Sequence, residues 1–159
     1  MAKVVKFYET GAPEVLRFED LEIGEPGPGE VRLRHVAVGL NFADTYFRSG
    51  IYPVPLPSGI GNEAAGVVEA VGAGVTDFVV GDRVTYTGFT NTLGAYSTER
   101  LISAAPLIKL PEGISCETAA AMTMRGLSAS YLCRRIYPFQ GGETILLHAA
   151  AGGDRKSVV

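Results

Sequence analysis

The stretch Glu30-Val31-Arg32-Leu33-Arg34-His35-Val36-Ala37-Val38-Gly39-Leu40 decides how this chain folds. Val31, Leu33, His35 and Ala37 fall on one face of an extended segment, and Arg32, Arg34 and Val36 on the other. A period of two marks a strand with one side turned to a core. At Asn41 the period changes. Phe42, Thr45, Tyr46 and Phe47 suit a short helix over residues 41–48, for which Asn41 is a possible N-cap. Upstream, Glu25-Pro26-Gly27-Pro28-Gly29 is a stiff turn, and residues 3–8 and 15–23 are apolar-rich segments on either side of Thr10-Gly11-Ala12-Pro13. Downstream, residues 52–58 carry three prolines and read as an ordered loop. Residues 63–71, 82–87 and 95–102 read as further strands, punctuated by turns such as Val71-Gly72-Ala73-Gly74. Many short strands at this spacing predict a barrel or sandwich.

Composition agrees. The chain has 159 residues, 47% hydrophobic and 19% charged, which is globular and excludes a disordered chain. A formal net charge of −3 without a basic–aromatic stripe argues against a nucleic-acid surface. No apolar run is long enough to span a bilayer, and the N-terminus lacks the apolar core of a signal peptide. Cys116 and Cys133 form no CxxC pair and no disulfide framework. A reducing cytoplasm is the expected compartment.

The character shifts near Pro111. Residues 115–135 are rich in Ala, Met and Leu, with Gly126 interrupting them, and predict a helix or a broken pair of helices. A Pro138-Phe139-Gln140-Gly141-Gly142 turn leads to residues 143–148, where Ile145-Leu146-Leu147 read as a parallel strand buried on both faces. That segment runs into Ala149-Ala150-Ala151-Gly152-Gly153, the way a nucleotide-binding βαβ unit begins, with a glycine turn before a phosphate-holding helix N-terminus. Only six residues follow Gly153, whereas such a unit takes roughly 30 or more in all.

Several motifs occur together and in order: Gly11-Ala12-Pro13-Glu14-Val15-Leu16, Pro28-Gly29-Glu30-Val31, Asn41-Phe42-Ala43-Asp44-Thr45-Tyr46, Gly61-Asn62-Glu63-Ala64-Ala65-Gly66-Val67-Val68, Gly81-Asp82-Arg83-Val84 and His148-Ala149-Ala150-Ala151-Gly152-Gly153. With them the chain resembles the bacterial NADPH:quinone oxidoreductases, zeta-crystallin-like and zinc-independent members of the medium-chain dehydrogenase/reductase superfamily. The resemblance implies a mainly β fold. A GroES-like β-barrel catalytic domain would fill residues 1–112, and the first helix and strand of a truncated Rossmann (α/β) domain residues 113–153. It implies NADPH in the cleft between the two, hydride transfer to a quinone or another small electrophile, and a homodimeric full-length form. The tail Asp154-Arg155-Lys156-Ser157-Val158-Val159 departs from the family pattern; its residues can be encoded by a common sequencing adapter, so it is expected to be non-native.

The site residues follow from the same resemblance. Asn41, Tyr46 and Tyr52 are the expected catalytic residues. Asn41, Phe42, Ala43, Asp44, Thr45, Tyr46, Ser128, Tyr131, Gly152 and Gly153 are the expected cofactor contacts. From the residues alone, Asn41 serves equally as a helix cap, and an isolated tyrosine is more often a packing residue. Asp44 is either a helix-face charge or a loop-ordering group, while Ser128 and Tyr131 pass for ordinary helix positions. Glycine at 152 and 153 lets backbone N–H groups come close to a pyrophosphate. Arg125 reads as a solvated side chain. A basic cluster choosing NADPH over NADH lies outside the sequence, so that preference rests on the resemblance.

No metal is expected. The zinc-dependent relatives carry a cysteine where this chain has Asn41 and a histidine where it has Asn62, and neutral amides are poor zinc ligands. Glu63 remains, but a single carboxylate makes no site. His35 and His148 read as packed or hydrogen-bonded histidines, and the cysteines as inert. Two other functions stay open: an enal or enoyl reductase of the same superfamily, and a non-enzymatic β-barrel binding module. A polypeptide of these 159 residues alone is expected to be inactive, since hydride transfer needs both walls of the cleft.

Overall fold

The computed structural model describes residues 1–88, 93–146, 148 and 152. The apolar-rich segment near the start of the chain becomes β1 (Ala2–Phe7), which pairs antiparallel with β2 (Arg17–Leu21) and with the short β4 (Ser58–Gly59). A second, five-stranded antiparallel sheet runs in the order β7 (Glu99–Ser103), β3 (Glu30–Val38), β5 (Glu63–Val71), β6 (Arg83–Thr87), β8 (Ile108–Lys109). Residues 96–98 join the two sheets: Val5 N donates to Tyr96 O at 2.8 Å and Thr98 N to Lys3 O at 2.9 Å. Among the described residues the sheets do not close into a continuous barrel.

β3 carries the expected pattern. Val31 and Leu33 are fully buried, and Arg34, Val36 and Val38 are exposed. The inward residues meet Ala64, Val68, Val84, Tyr86 and Ile102 in one core. Gly66 of β5 is where the sheet needs glycine, because a Cβ there would collide with the backbone of Arg34 and His35 on β3.

His35 lies where the core turns polar. Its Nδ1 faces the Ser97 carbonyl at 2.8 Å, so that nitrogen carries the proton, and Nε2 accepts from the Tyr86 hydroxyl at 3.1 Å. Arg100 Nη1 donates to the same hydroxyl at 3.4 Å. The packed, hydrogen-bonded histidine expected from sequence is what the fold contains.

Two helices lie against this frame. α1 (Phe42–Ser49) follows β3, and α2 (Cys116–Tyr131) packs on β3, β5 and β6. Ser115 caps α2, its Oγ accepting from Thr118 N at 3.1 Å. Arg83 holds the preceding turn, donating to the carbonyls of Ile114, Pro111 and Glu112 at 2.7–3.1 Å. Cys116, Ala119 and Ala120 pack against Ala65, with a Thr85–Thr123 hydroxyl contact of 2.8 Å beside them. Burial pushes the Cys116 thiol up, consistent with an inert cysteine.

Of the two forms expected over residues 115–135, a helix or a broken pair, the structure has the single helix: α2 runs through Gly126 without a break, its packed N-terminal half carrying it past a residue that costs only about 1 kcal/mol in a helix. It ends in a π-type turn over Leu132–Ile136. One expectation is corrected: residues 143–146 form no strand and are exposed, because a parallel strand needs neighbours and none of the described strands pairs with them. Leu147, Gly153 and the tail lie outside the described residues.

Burial lowers the His35 pKa to about 4, Arg100 adding to the effect and the Ser97 carbonyl opposing it. An unfolded histidine titrates near 6.5, so below that pH the unfolded chain binds the extra proton and stability falls as pH falls. The expected loss between pH 7 and pH 5 is about 2 kcal/mol. Asp44, whose carboxyl burial raises, works in the opposite sense as it protonates. Thermal melts should therefore show Tm dropping over this interval, with a distinctly shallower slope in His35→Gln; equal slopes would refute the assignment.

Candidate functional site

The site begins where the chain leaves β3 beside the start of its sheet neighbour β5. A Cβ at Gly39 would strike both the Glu63 carboxylate and the Ala120 carbonyl, so only glycine lets the chain through here. Gly39 N donates to Glu63 O at 2.8 Å. Two residues on, Asn41 is extended (φ −122°, ψ 143°) and caps α1.

Glu63, the first residue of β5, is 1% exposed. Its Oε2 accepts from Asn41 Nδ2 at 2.7 Å and its Oε1 from the backbone N–H of Met124 at 2.6 Å. One buried carboxylate thus joins the start of α1 to the middle of α2. Both bonds are charge-assisted, and the first fixes the Asn41 amide, because an amide oxygen turned toward the carboxylate would be repelled.

Asp44 is the second hub. It is buried; Oδ1 accepts from Asn62 Nδ2 at 3.1 Å, and Oδ2 accepts from Asn41 N at 3.1 Å and from the Tyr96 hydroxyl at 2.9 Å. Burial raises its carboxyl pKa against the pull of the Asn41 N–H and Tyr96. Burial and the Asp44 carboxylate both push the Tyr96 phenol up, so it stays a donor. Of the two sequence readings of Asp44, loop ordering fits this geometry. Asn62 Oδ1 is buried without a hydrogen-bond partner among the described residues.

The third part is aromatic. Phe42–Tyr46, Tyr46–Tyr52 and Phe47–Tyr52 each meet edge to face with centroids 5.3 Å apart. Tyr52 N donates to Tyr46 O at 3.1 Å, which holds the proline loop on the helix. Phe42 is 73% exposed and Tyr52 41%, so the cluster presents ring surface outward.

The remaining expected contacts divide. Thr45 spends its hydroxyl on Phe42 O at 2.6 Å, and Ala43 is half-buried. Ser128, one turn beyond Met124, donates to Met124 O at 2.9 Å, and Tyr131 is exposed. Arg125 donates to Ala121 O at 2.7 Å on the exposed side of α2. Gly152 is half-buried. The structure brings Asn41 and the Met124–Ser128 turn together through Glu63, and it packs Tyr46 of α1 against Tyr52 of the following loop. Sequence reading set Glu63 aside. The available signal was a lone carboxylate opening the apolar run Glu63-Ala64-Ala65-Gly66-Val67-Val68. Among the described residues no three of His, Cys, Asp or Glu come together. Asn41 and Asn62 each turn the amide nitrogen to a carboxylate, as donors rather than ligands.

A short capped helix set beside an antiparallel sheet, with a glycine that lets backbone and carboxylate meet, is the frame of this site. Residues 27–112, more than half of the chain, match the alcohol dehydrogenase GroES-like domain, and the chain belongs to that family. It is 56% identical over 154 residues to a quinone oxidoreductase of Pseudomonas aeruginosa, covering 96% of this chain and 47% of the relative. The crystal structure of the Pseudomonas syringae quinone oxidoreductase matches with TM-score 0.93 at 53% identity, over 99% of this chain and 48% of that one. The Escherichia coli quinone oxidoreductase, solved in complex with NADPH, matches with TM-score 0.90 at 45% identity, over 96% and 47%. The chain spans about half the length of these relatives.

The Asp44 hub has a measurable strength. Tyr96→Phe removes one hydrogen bond and should cost about 1 kcal/mol, whereas Asp44→Asn turns a donor toward existing donors and should cost about 3 kcal/mol. Urea unfolding checks the order; an Asp44→Asn protein as stable as Tyr96→Phe would remove Asp44 as a hub.

Proposed function

We propose that this chain forms the substrate-side wall of an NADPH-dependent quinone reductase. The observation that carries the reading is Asn41, its amide fixed by Glu63 at 2.7 Å, beside the ring cluster of Phe42, Tyr46 and Tyr52, of which Phe42 and Tyr52 are exposed. A flat, apolar ring with a polar edge is the ligand such a surface accepts, and its donor set of amides and hydroxyls suits nicotinamide and quinone oxygens better than a metal ion. Bound NADPH supplies a hydride. Asn41 orients the ring at the edge of the cleft. Tyr46 and Tyr52 offer hydroxyls to the acceptor oxygen that gains charge, and pass a proton from water to it. Phe42, Ala43, Asp44 and Thr45 shape and support that segment. Ser128 and Tyr131 extend the contact along α2, and Gly152 and Gly153 serve the pyrophosphate.

Other parts of the reading go with it. Residues 113–153 open a second, nucleotide-binding domain after a first domain over 1–112, and 154–159 do not belong to the native sequence. The compartment is the cytoplasm, supported by two free cysteines and by the lack of a helix, among the described residues, long and apolar enough to cross a membrane. The full-length form is a homodimer.

A chimera tests the proposal. Residues 1–146 of this chain are joined to the remaining half of the Pseudomonas aeruginosa relative and assayed for NADPH oxidation with quinones and with enals. Quinone turnover is expected, with kcat/KM falling by about 10- to 100-fold in Asn41→Ala, equivalent to about 1.4–2.7 kcal/mol. The 159-residue chain alone should show no turnover above a heat-killed control. Turnover of enals with none of quinones would overturn the quinone reading.

A further inference from the structure

Arg48, near the C-terminal end of α1, has a buried Nε with no hydrogen-bond partner among the described residues. Unlike Lys3, Arg32, Arg34 and Lys109, Arg48 forms no ion pair among the described residues. Arg48 is half-buried as a whole, but burying its Nε–H without a partner is costly, and a native fold keeps such a donor mainly where something else completes it. Arg48 lines a cavity of about 270 Å³ whose apolar walls are Leu16, Leu40, Phe42 and Ile60. Asp44 and Tyr96 also face this cavity, but they are committed to each other and to Asn41 and Asn62. Arg48 is left as the cation without a partner at the cavity.

We propose that this cavity binds a small, largely apolar monocarboxylate, with the Arg48 guanidinium as partner to the carboxylate. The volume lies just below the roughly 300–1,000 Å³ typical of ligand sites, which suits a single-ring acid. A guanidinium matches a carboxylate in a two-pronged geometry. A phosphate dianion fits less well, because one cation faces it and the Asp44 carboxylate stands on the same cavity wall. The cavity shares Asn41, Phe42 and Thr45 with the cleft edge described above. The acid is therefore an acceptor for the reduction, a quinone or unsaturated compound with an acidic substituent. That assignment as acceptor rests on the quinone-reductase reading; the binding itself does not.

The test uses the 159-residue chain, titrated with benzoate and with its neutral isostere benzamide at pH 7 and followed by ¹H–¹⁵N NMR. Benzoate should shift the amides of Asp44–Arg48, Leu16 and Ile60 saturably, and bind at least about tenfold tighter than benzamide. Arg48→Met should abolish the difference and Arg48→Lys restore part of it. Equal binding of benzamide and benzoate to the unmodified chain, or no shift around the cavity, would overturn the proposal without recourse to a variant that fails to fold. In the chimera, a carboxylated quinone should show a lower KM than its neutral counterpart, and Arg48→Met should erase that gap. If benzoate does not bind but the chimera reduces quinones, the subsite is wrong and the reductase reading stands. If benzoate binds and the chimera reduces nothing, the reductase reading and the acceptor assignment fall together.

Discussion

The Glu63 carboxylate is the constraint on which the site depends. It is buried at the start of β5, where a charge is costly unless it is fully hydrogen-bonded. Its two oxygens are matched by two N–H donors from elements far apart in sequence, Asn41 on α1 and Met124 on α2. Gly39 makes the meeting possible, because any side chain there would occupy the space of the carboxylate. Removing one donor would leave a buried charge short of a partner, so the two helices are held in mutual register by the same cost that makes the carboxylate expensive.

Around that bridge the polar groups form a connected set. Asn41 gives its side-chain N–H₂ to Glu63 and its backbone N–H to Asp44; Asp44 in turn takes Asn62 and Tyr96. The set locks the N-terminus of α1 against β5 and the segment before β7. It leaves Phe42 of the same helix and Tyr52 of the next loop exposed, with Tyr46 half-buried between them. Positioning on one side of a short helix and ligand surface on the other is a division that eight residues can sustain only because Asp44 and Phe47 anchor them.

Much of this was legible in the sequence, and for physical reasons. The alternation over residues 30–40 reports burial directly, and β3 buries the face that carries Val31 and Leu33. The change of period at Asn41 and its capping chemistry located α1 to within a residue. Gly126 left a single helix and a broken pair both open, because helix propensity is a local quantity; the packing of Cys116, Ala119 and Ala120 decides for the single helix. One expected element is absent among the described residues. The strand expected over residues 143–148 does not form in its described part, 143–146, since an apolar run becomes a strand only where a neighbour offers its edge. The roles of Glu63 and Arg48 were not legible, since each depends on what lies opposite in space. A lone carboxylate and a lone arginine look alike in sequence whether solvated, paired or waiting for a ligand.

The central claim is that Glu63 holds Asn41 and Met124 together, and hydrogen exchange measured by NMR tests it most directly. In the unmodified chain the Met124 amide and the Asn41 side-chain N–H₂ should exchange slowly. Glu63→Gln keeps one acceptor and turns a donor on the other partner, so one of these two groups should exchange faster by at least about tenfold, while the amides of Leu33 and Val68 in the core remain protected. Unchanged protection and unchanged chemical shift at both groups would show that the carboxylate does not bridge them, and the account built on it would fail.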